Sequence, residues 1–274
     1  MSFIRIAGLL ANIAGLSLSL VIAPLALADF DWNAALEGAH RKEGNAERNA
    51  ARHPKETLEF FGVQPNITVM EVSPGGGWYT EVLAPLLKGQ GTLIAAHYAS
   101  NGGAYSRRSL GGFLTKLGAN DEVYGEVIVT ELQPPKAMTP VEPETVDVAV
   151  AFRNVHSWMR MNQVELFFAL IYDALKPGGI LGIVQHRGAA GTSIDEMKRT
   201  AYVTEEQVIE YAELAGFELD ARSEINANPR DTKDYPGGVW TLPPVLREGE
   251  KNRDAYLAIG ESDRMTLRFV KPVE

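Results

Sequence analysis

Residues 67–85 read I-T-V-M-E-V-S-P-G-G-G-W-Y-T-E-V-L-A-P, a stretch in which a buried strand, a glycine turn and a helix start follow one another without a gap. Val69, Met70 and Val72 form a short apolar run, the pattern of a strand covered on both faces, and Glu71 is the single charge inside it. Gly75, Gly76 and Gly77 then break the run. Adjacent glycines allow positive φ and let a ligand come close to bare backbone, while a helix beginning near Trp78 presents unpaired N–H groups at its positive end. Such a turn suits a nucleotide-like ligand. The spacing is not G-x-G-x-x-G, because Ser73 and Pro74 stand before the triplet and Trp78-Tyr79 after it. Taken alone, the turn fits a tight strand-to-helix connection without a ligand equally well.

Around this stretch lies a chain of 274 residues, 45% hydrophobic and 22% charged, enough for one sizeable α/β core. Twenty-six basic against 35 acidic residues give a net charge of −9, which repels nucleic acid and anionic membrane surfaces; no nucleic-acid partner is expected. Without cysteine there is no disulfide, thiolate nucleophile or cysteine metal site, and His40, His53, His97, His156 and His186 contain no pair at metal-ligand spacing. No metal is expected.

The N-terminal 28 residues carry one charge, Arg5, then an apolar run from Ile6 to Ala23, Pro24 and the small-residue pattern Ala26-Leu27-Ala28. This predicts a signal peptide over 1–28, cleaved before Asp29, with export to a periplasm and no stable membrane association afterwards; an uncleaved anchor is the alternative. Residues 29–274 are then a single domain with an N-terminal helical extension over 29–66, split at His53-Pro54 into two helical pieces. His53 reads as a surface or capping residue or as a ligand contact.

Downstream, Val82, Leu83, Leu86 and Leu87 mark a helix stopped by Lys88-Gly89-Gln90-Gly91, and a strand follows over Thr92–His97. A helix is expected over Leu110–Leu117, with strands over Val127–Val129 and Val146–Phe152. The exit Arg153-Asn154-Val155-His156-Ser157-Trp158 gathers polar and aromatic residues where an open α/β sheet keeps its site. A helix over Gln163–Leu175, the turn L-K-P-G-G, a strand over Ile180–Gln185, a capping box at Thr204–Gln207 opening a helix to Gly216, and strands over Phe217–Ile225 and Met265–Val270 complete the chain. The alternation predicts a doubly wound, mostly parallel sheet with helices on both faces.

Glu71, Ser73, Gly75 and Gly77 resemble motif I of the class I S-adenosylmethionine-dependent methyltransferases, E/D-x-G-x-G-x-G, with Ser73 in a glycine position. The strand exit at Arg153–Trp158 resembles their motif IV, and the L-K-P-G-G turn matches as well. More narrowly, the 71–85 stretch, R-N-V-H-S-W and the late G-E-S-D-R-M-T-L-R-F-V-K-P look like a group of bacterial, exported, predicted methyltransferases. The resemblance covers roughly residues 55 to 272 and implies a Rossmann-like sheet whose last strand is antiparallel, with S-adenosylmethionine as cofactor. It puts Glu71, Ser73, Gly75, Gly76, Gly77, Tyr79, His97 and Asn154 at the cofactor and His156 where an acceptor would meet it. In the family the second strand ends on an acid that accepts from the ribose hydroxyls; here that residue is His97.

Each of these residues also has a plainer reading. Glu71 either biases the cofactor's ammonium or accepts backbone N–H groups; Tyr79 either caps the cofactor or packs on the sheet edge. His156 is a candidate general base or a loop-bonded histidine, and Asn154 and Trp158 shape the pocket. The function expected is methyl transfer by in-line displacement to a small-molecule acceptor. The alternatives are an exported non-catalytic small-molecule binding protein that keeps the fold, and, further off, a dehydrogenase.

Overall fold

The computed structural model describes residues 29–273, and the expected signal segment at 1–28 lies outside them. Seven strands form one sheet: β1 (Thr68–Val72), β2 (Thr92–His97), β3 (Ile128–Glu131), β4 (Val146–Phe152), β5 (Leu175–His186), β6 (Glu218–Ser223) and β7 (Arg264–Val270). Their order is β3-β2-β1-β4-β5-β7-β6. The pairs from β3 to β5 are parallel, and β7 runs antiparallel to both β5 and β6. This is a Rossmann-like sheet, mostly parallel with an antiparallel last strand, as expected. The L-K-P-G-G segment, expected as a turn, is drawn into β5, with an irregular register where it faces β4 between Val146 and Val148.

The helices are α1 (Trp32–Glu37), α2 (Asn49–Arg52), α3 (Pro54–Phe60), α4 (Thr80–Leu87), α5 (Ala104–Gly118), α6 (Asp121–Tyr124), α7 (Val155–Arg160), α8 (Val164–Ala174), α9 (Ile194–Thr200), α10 (Glu205–Leu214) and α11 (Arg253–Ile259). His53 takes a left-handed φ of 40° between α2 and Pro54, which opens α3, so the expected split occurs at that dipeptide, although the extension holds three short helices instead of two helical pieces. The Thr204 hydroxyl accepts the Gln207 N–H at 3.2 Å and starts α10. The helix after the glycine turn begins at Thr80, two residues beyond Trp78, and α5 begins well before Leu110.

Alternation along the strands sends side chains to two cores. Met70, Ala149 and Ile183 pack on one face with Trp158, Phe167, Phe168 and Val208 from α7, α8 and α10. Val69, Val148 and Val150 pack on the other with Val82, Leu83 and Leu86 of α4 and with Leu58 and Phe61 of the N-terminal extension. Phe61 lies over Gly182 of β5 so closely that any Cβ at that position would collide with its ring. The extension is further tied to α4 by the fully buried Glu81, which accepts from Arg41 at 3.0 Å and Asn45 at 2.8 Å and also meets Lys116. Trp78 donates its indole N–H to the Asn45 carbonyl at 3.2 Å. Residues 41–52 are thereby fixed above the carboxyl ends of the strands. Among the described residues no helix is long and apolar enough to cross a membrane.

Candidate ligand site at the switch point of the sheet

From β1 the chain winds outward to β2 and β3, then crosses back to β4 on the other side of β1. The crevice outside the carboxyl ends of β1 and β4 is the topological switch point, where open α/β sheets bind ligands. A cavity of about 450 Å³ lies there, within the usual size of small-molecule sites. Its walls come from Ser73–Gly76 after β1, Phe152–Asn154 after β4, His186 ending β5, the extension, and the segments at 239–245 and 261–262.

The turn after β1 holds Ser73, Gly75 and Gly77 at φ of 52°, 60° and 75°. A serine thus adopts the left-handed conformation that the resembling motif gives to glycine, at a cost of roughly 1–2 kcal/mol. Ser73 donates its N–H to the Ala96 carbonyl at 2.8 Å, while its buried Oγ has no protein partner. Cβ atoms placed on Gly75 or Gly76 would meet no heavy atom within 4 Å, so these two glycines leave open space beside the backbone. Gly77 differs: a Cβ there would sit 3.0 Å from the Phe113 ring, and its need for glycine is one of packing. Lys116 donates to the Gly76 carbonyl at 2.7 Å, fixing the turn from behind.

Of the residues expected at the cofactor, Ser73, Gly75, Gly76 and Asn154 line the cavity together with His156. Asn154 donates its amide to the Val72 carbonyl at 2.8 Å, clamping the ends of β1 and β4. Glu71 is buried beneath the turn, beside a separate space of about 30 Å³, and accepts from the Thr80 hydroxyl at 2.5 Å. Burial raises its carboxyl to about 7, opposed by the Thr80 hydrogen bond and by Lys116. Tyr79 stacks on Phe152 at 3.4 Å and donates to the Arg52 carbonyl at 3.3 Å, so it packs rather than caps.

His97 ends β2 as expected, but its ring is fully buried and does not line the cavity. Nδ1 accepts the Tyr98 N–H at 2.7 Å, which puts the proton on Nε2, 3.1 Å from the Gly75 carbonyl. Both nitrogens are committed, and a ribose would find no free acceptor on this ring. Burial lowers its pKa, so it holds the turn as a neutral donor.

His156 also departs from the role of general base. Gln185 donates one amide N–H to the Ala201 carbonyl at 3.0 Å, which fixes its orientation, and the same nitrogen lies 3.2 Å from His156 Nδ1. Nδ1 is therefore the acceptor and Nε2 carries the proton. Burial first, then the Arg160 charge, push the ring down to about 3. Near pH 7 His156 is a neutral hydrogen-bond donor and a weak base.

Sequence reasoning missed most of the cationic wall. Lys42, Arg48, Arg52 and Arg153 line the cavity beside Glu261, with Tyr98 and Tyr105 next to the end of β2. Arg153 stands in the quoted strand exit and takes a left-handed φ of 62°, a strained backbone of the kind that gathers at functional sites. Arg48 and Arg52 sit in an extension read as helical scaffolding, and nothing local marks them. Trp240, beside Arg160 and Arg247 at 4.5 and 4.6 Å, closes another side.

No family model and no curated protein matches the chain. Solved structures do match in fold. A SAM-dependent methyltransferase from Aquifex aeolicus is 16% identical, with a TM-score of 0.55 over 82% of this chain and 93% of its own. The [4+2]-cyclase SpnF is 18% identical, with a TM-score of 0.57 over 85% of this chain and 84% of its own. Phosphoethanolamine N-methyltransferase 2 from Haemonchus contortus, solved in complex with S-adenosyl-L-methionine, is 18% identical, with a TM-score of 0.52 over 81% of this chain and 53% of its own. The chain is thus similar in fold to SAM-dependent methyltransferases, and a neighbour named as a cyclase reflects the rule that a fold does not fix a reaction.

Proposed function

We propose that the protein is an S-adenosylmethionine-dependent methyltransferase acting on a small-molecule acceptor. The observation that carries this reading is the open, left-handed turn Ser73–Gly76 facing a cavity at the β1/β4 switch point. The cofactor fits there on two counts: the orphaned Ser73 hydroxyl lacks a partner, and Gly75 and Gly76 leave room for close approach. Ser73, Gly75 and Gly76 are the residues that would hold its amino-acid part, and Tyr98 and Tyr105, whose aromatic faces suit a purine, would hold its adenosyl part. When bound, the cofactor would supply a sulfonium methyl group, transferable to a nucleophilic acceptor by in-line displacement.

The chain's own work is then positioning and exclusion of water. Asn154 fixes the ends of β1 and β4, Phe152 and Trp240 wall the cavity, and His156 offers its Nε2–H to orient an acceptor. With His156 neutral and weakly basic, a proton leaving the acceptor passes to solvent. The same reading has residues 1–28 removed after Ala28 and the mature chain in the periplasm.

Calorimetric titration of the purified protein with S-adenosylmethionine and S-adenosylhomocysteine tests it. Saturable heat with both is expected, and heat with neither refutes it. His97 favours a second reading, a non-catalytic binding protein that keeps the fold, because the end of β2 presents no carboxylate to a ribose. That reading expects no heat with either compound.

A further inference from the structure

Four cationic side chains, Lys42, Arg48, Arg52 and Arg153, line the cavity against one carboxylate, Glu261, leaving a formal +3 in a chain whose net charge is −9. Glu261 is already spent. It accepts from Arg48 Nε at 2.6 Å, Arg52 Nε at 3.3 Å and Arg264 at 3.2 Å. Arg264, which opens β7, is otherwise satisfied by the carbonyls of Ala51 and Ser262 at 2.9 and 3.1 Å.

The others are not satisfied. Arg52 is 1% exposed, and both of its terminal nitrogens lack any partner. Arg48 Nη2 is likewise buried and unbonded. The Arg153 side chain makes no hydrogen bond or ion pair among the described residues, and burial followed by the Arg264 charge lowers its pKa to about 10. Burying unpaired guanidinium groups beside one another is costly, and apolar residues of the same volume would be the more stable choice. What such forks match is a planar or tetrahedral oxyanion, held by two parallel N–H donors.

We propose that Arg52 and Arg153, flanked by Arg48, bind the acid group of the methyl acceptor, so that the substrate is a small anion bearing a carboxylate or a phosphate. This rests on the methyltransferase reading above. The cofactor's own carboxylate is the other possible source of an anion, but it does not balance the site. S-adenosylmethionine carries one carboxylate, one ammonium and one sulfonium, a net +1, and would add to the +3 instead of offsetting it. An acceptor of charge −1 or −2 offsets both.

The test measures phosphate and malonate binding to the parent, Arg153→Gln and Arg52→Gln by calorimetry, alongside S-adenosylhomocysteine. The parent is expected to bind at least one of the two anions saturably, more weakly as salt rises, and each variant to lose at least ~tenfold of that affinity. S-adenosylhomocysteine affinity should stay within about twofold in Arg153→Gln. Thermal unfolding keeps the test decisive if Arg52→Gln fails to fold: phosphate or malonate should raise the midpoint of the parent and not that of Arg153→Gln. No saturable anion binding, or equal binding by parent and Arg153→Gln, overturns the proposal. So does loss of S-adenosylhomocysteine in Arg153→Gln while 5′-methylthioadenosine, which lacks the amino-acid carboxylate, still binds; the arginines then hold the cofactor. If anions bind but neither adenosyl compound does, the methyltransferase reading falls and the anion site stands.

Discussion

Replacing Glu71 with glutamine should remove the contribution that this residue makes to the parent's loss of stability as pH rises. The carboxyl is buried between β1 and α4, accepts the Thr80 hydroxyl at 2.5 Å, and has its pKa raised from 4.5 to about 7, chiefly by burial. Between those two values the folded chain keeps a proton that the unfolded chain releases. The Glu71 contribution to stability therefore falls as pH rises through this window, and its full loss is present above pH 7. At ~1.4 kcal/mol per pH unit the loss is about 3 kcal/mol. Glu71→Gln keeps an oxygen for Thr80 and removes the ionisation. It should match the parent near pH 4.5 and exceed it by up to about 3 kcal/mol at pH 8, with a urea midpoint roughly 1 M higher. Urea titrations of both proteins at several pH values, without ligand, read the difference directly. Parallel pH slopes would refute the assignment of a protonated, buried Glu71.

Phe61→Ala removes the ring packed on Gly182 and should cost about 3–5 kcal/mol by urea unfolding. Because that ring anchors the extension carrying Arg48 and Arg52, the same variant should also weaken anion binding. His97→Asp puts a buried carboxylate against the Gly75 carbonyl; calorimetry should show no gain in S-adenosylhomocysteine affinity, and thermal unfolding a lower midpoint. Gly75→Val should abolish binding of adenosyl compounds, whereas Gly77→Val should first appear as lost stability, since its Cβ meets Phe113 at 3.0 Å. Intact-mass analysis of the exported protein should give a chain starting at Asp29; a mass retaining Met1 to Ala28 would mean an uncleaved anchor.

The central strands were legible because they are covered on both faces, and Thr68–Val72, Thr92–His97 and Val146–Phe152 announce that as apolar runs ending at polar or glycine residues. Short peripheral helices were not. α11 buries none of its residues, so no apolar stripe marks it, and α9 buries only Met197 and Thr200, too few to show a stripe. The turn at Ser73–Gly77 was legible as backbone, and its serine in a glycine position turns out to keep the glycine conformation. His97 was located but not oriented, because its ring is set by Gly75, a residue 22 positions away. The cationic wall was invisible for the same kind of reason: Arg48, Arg52, Arg153 and Glu261 meet only after the extension has folded back over the sheet.

That folding back ties the glycine turn to the charged wall. Trp78 and Glu81, in the stretch that forms the turn and opens α4, hold Asn45 and Arg41, and Phe61 seats the far end of the extension on β5. Arg41 and Arg52 both stack over Trp78, at 4.9 and 4.5 Å from the ring, so the arginine wall is built on the residue that follows the glycines. The histidines fit the same electrostatic plan. Burial together with the surrounding cations keeps His156 and His186 neutral, and His186 shares a 2.6 Å hydrogen bond with Ser262. A cavity with fixed cations, neutral histidines and a single spent carboxylate has no strong base to offer. What it has is unpaired donors, held rigidly, and the negative charge they lack has to arrive with the ligand.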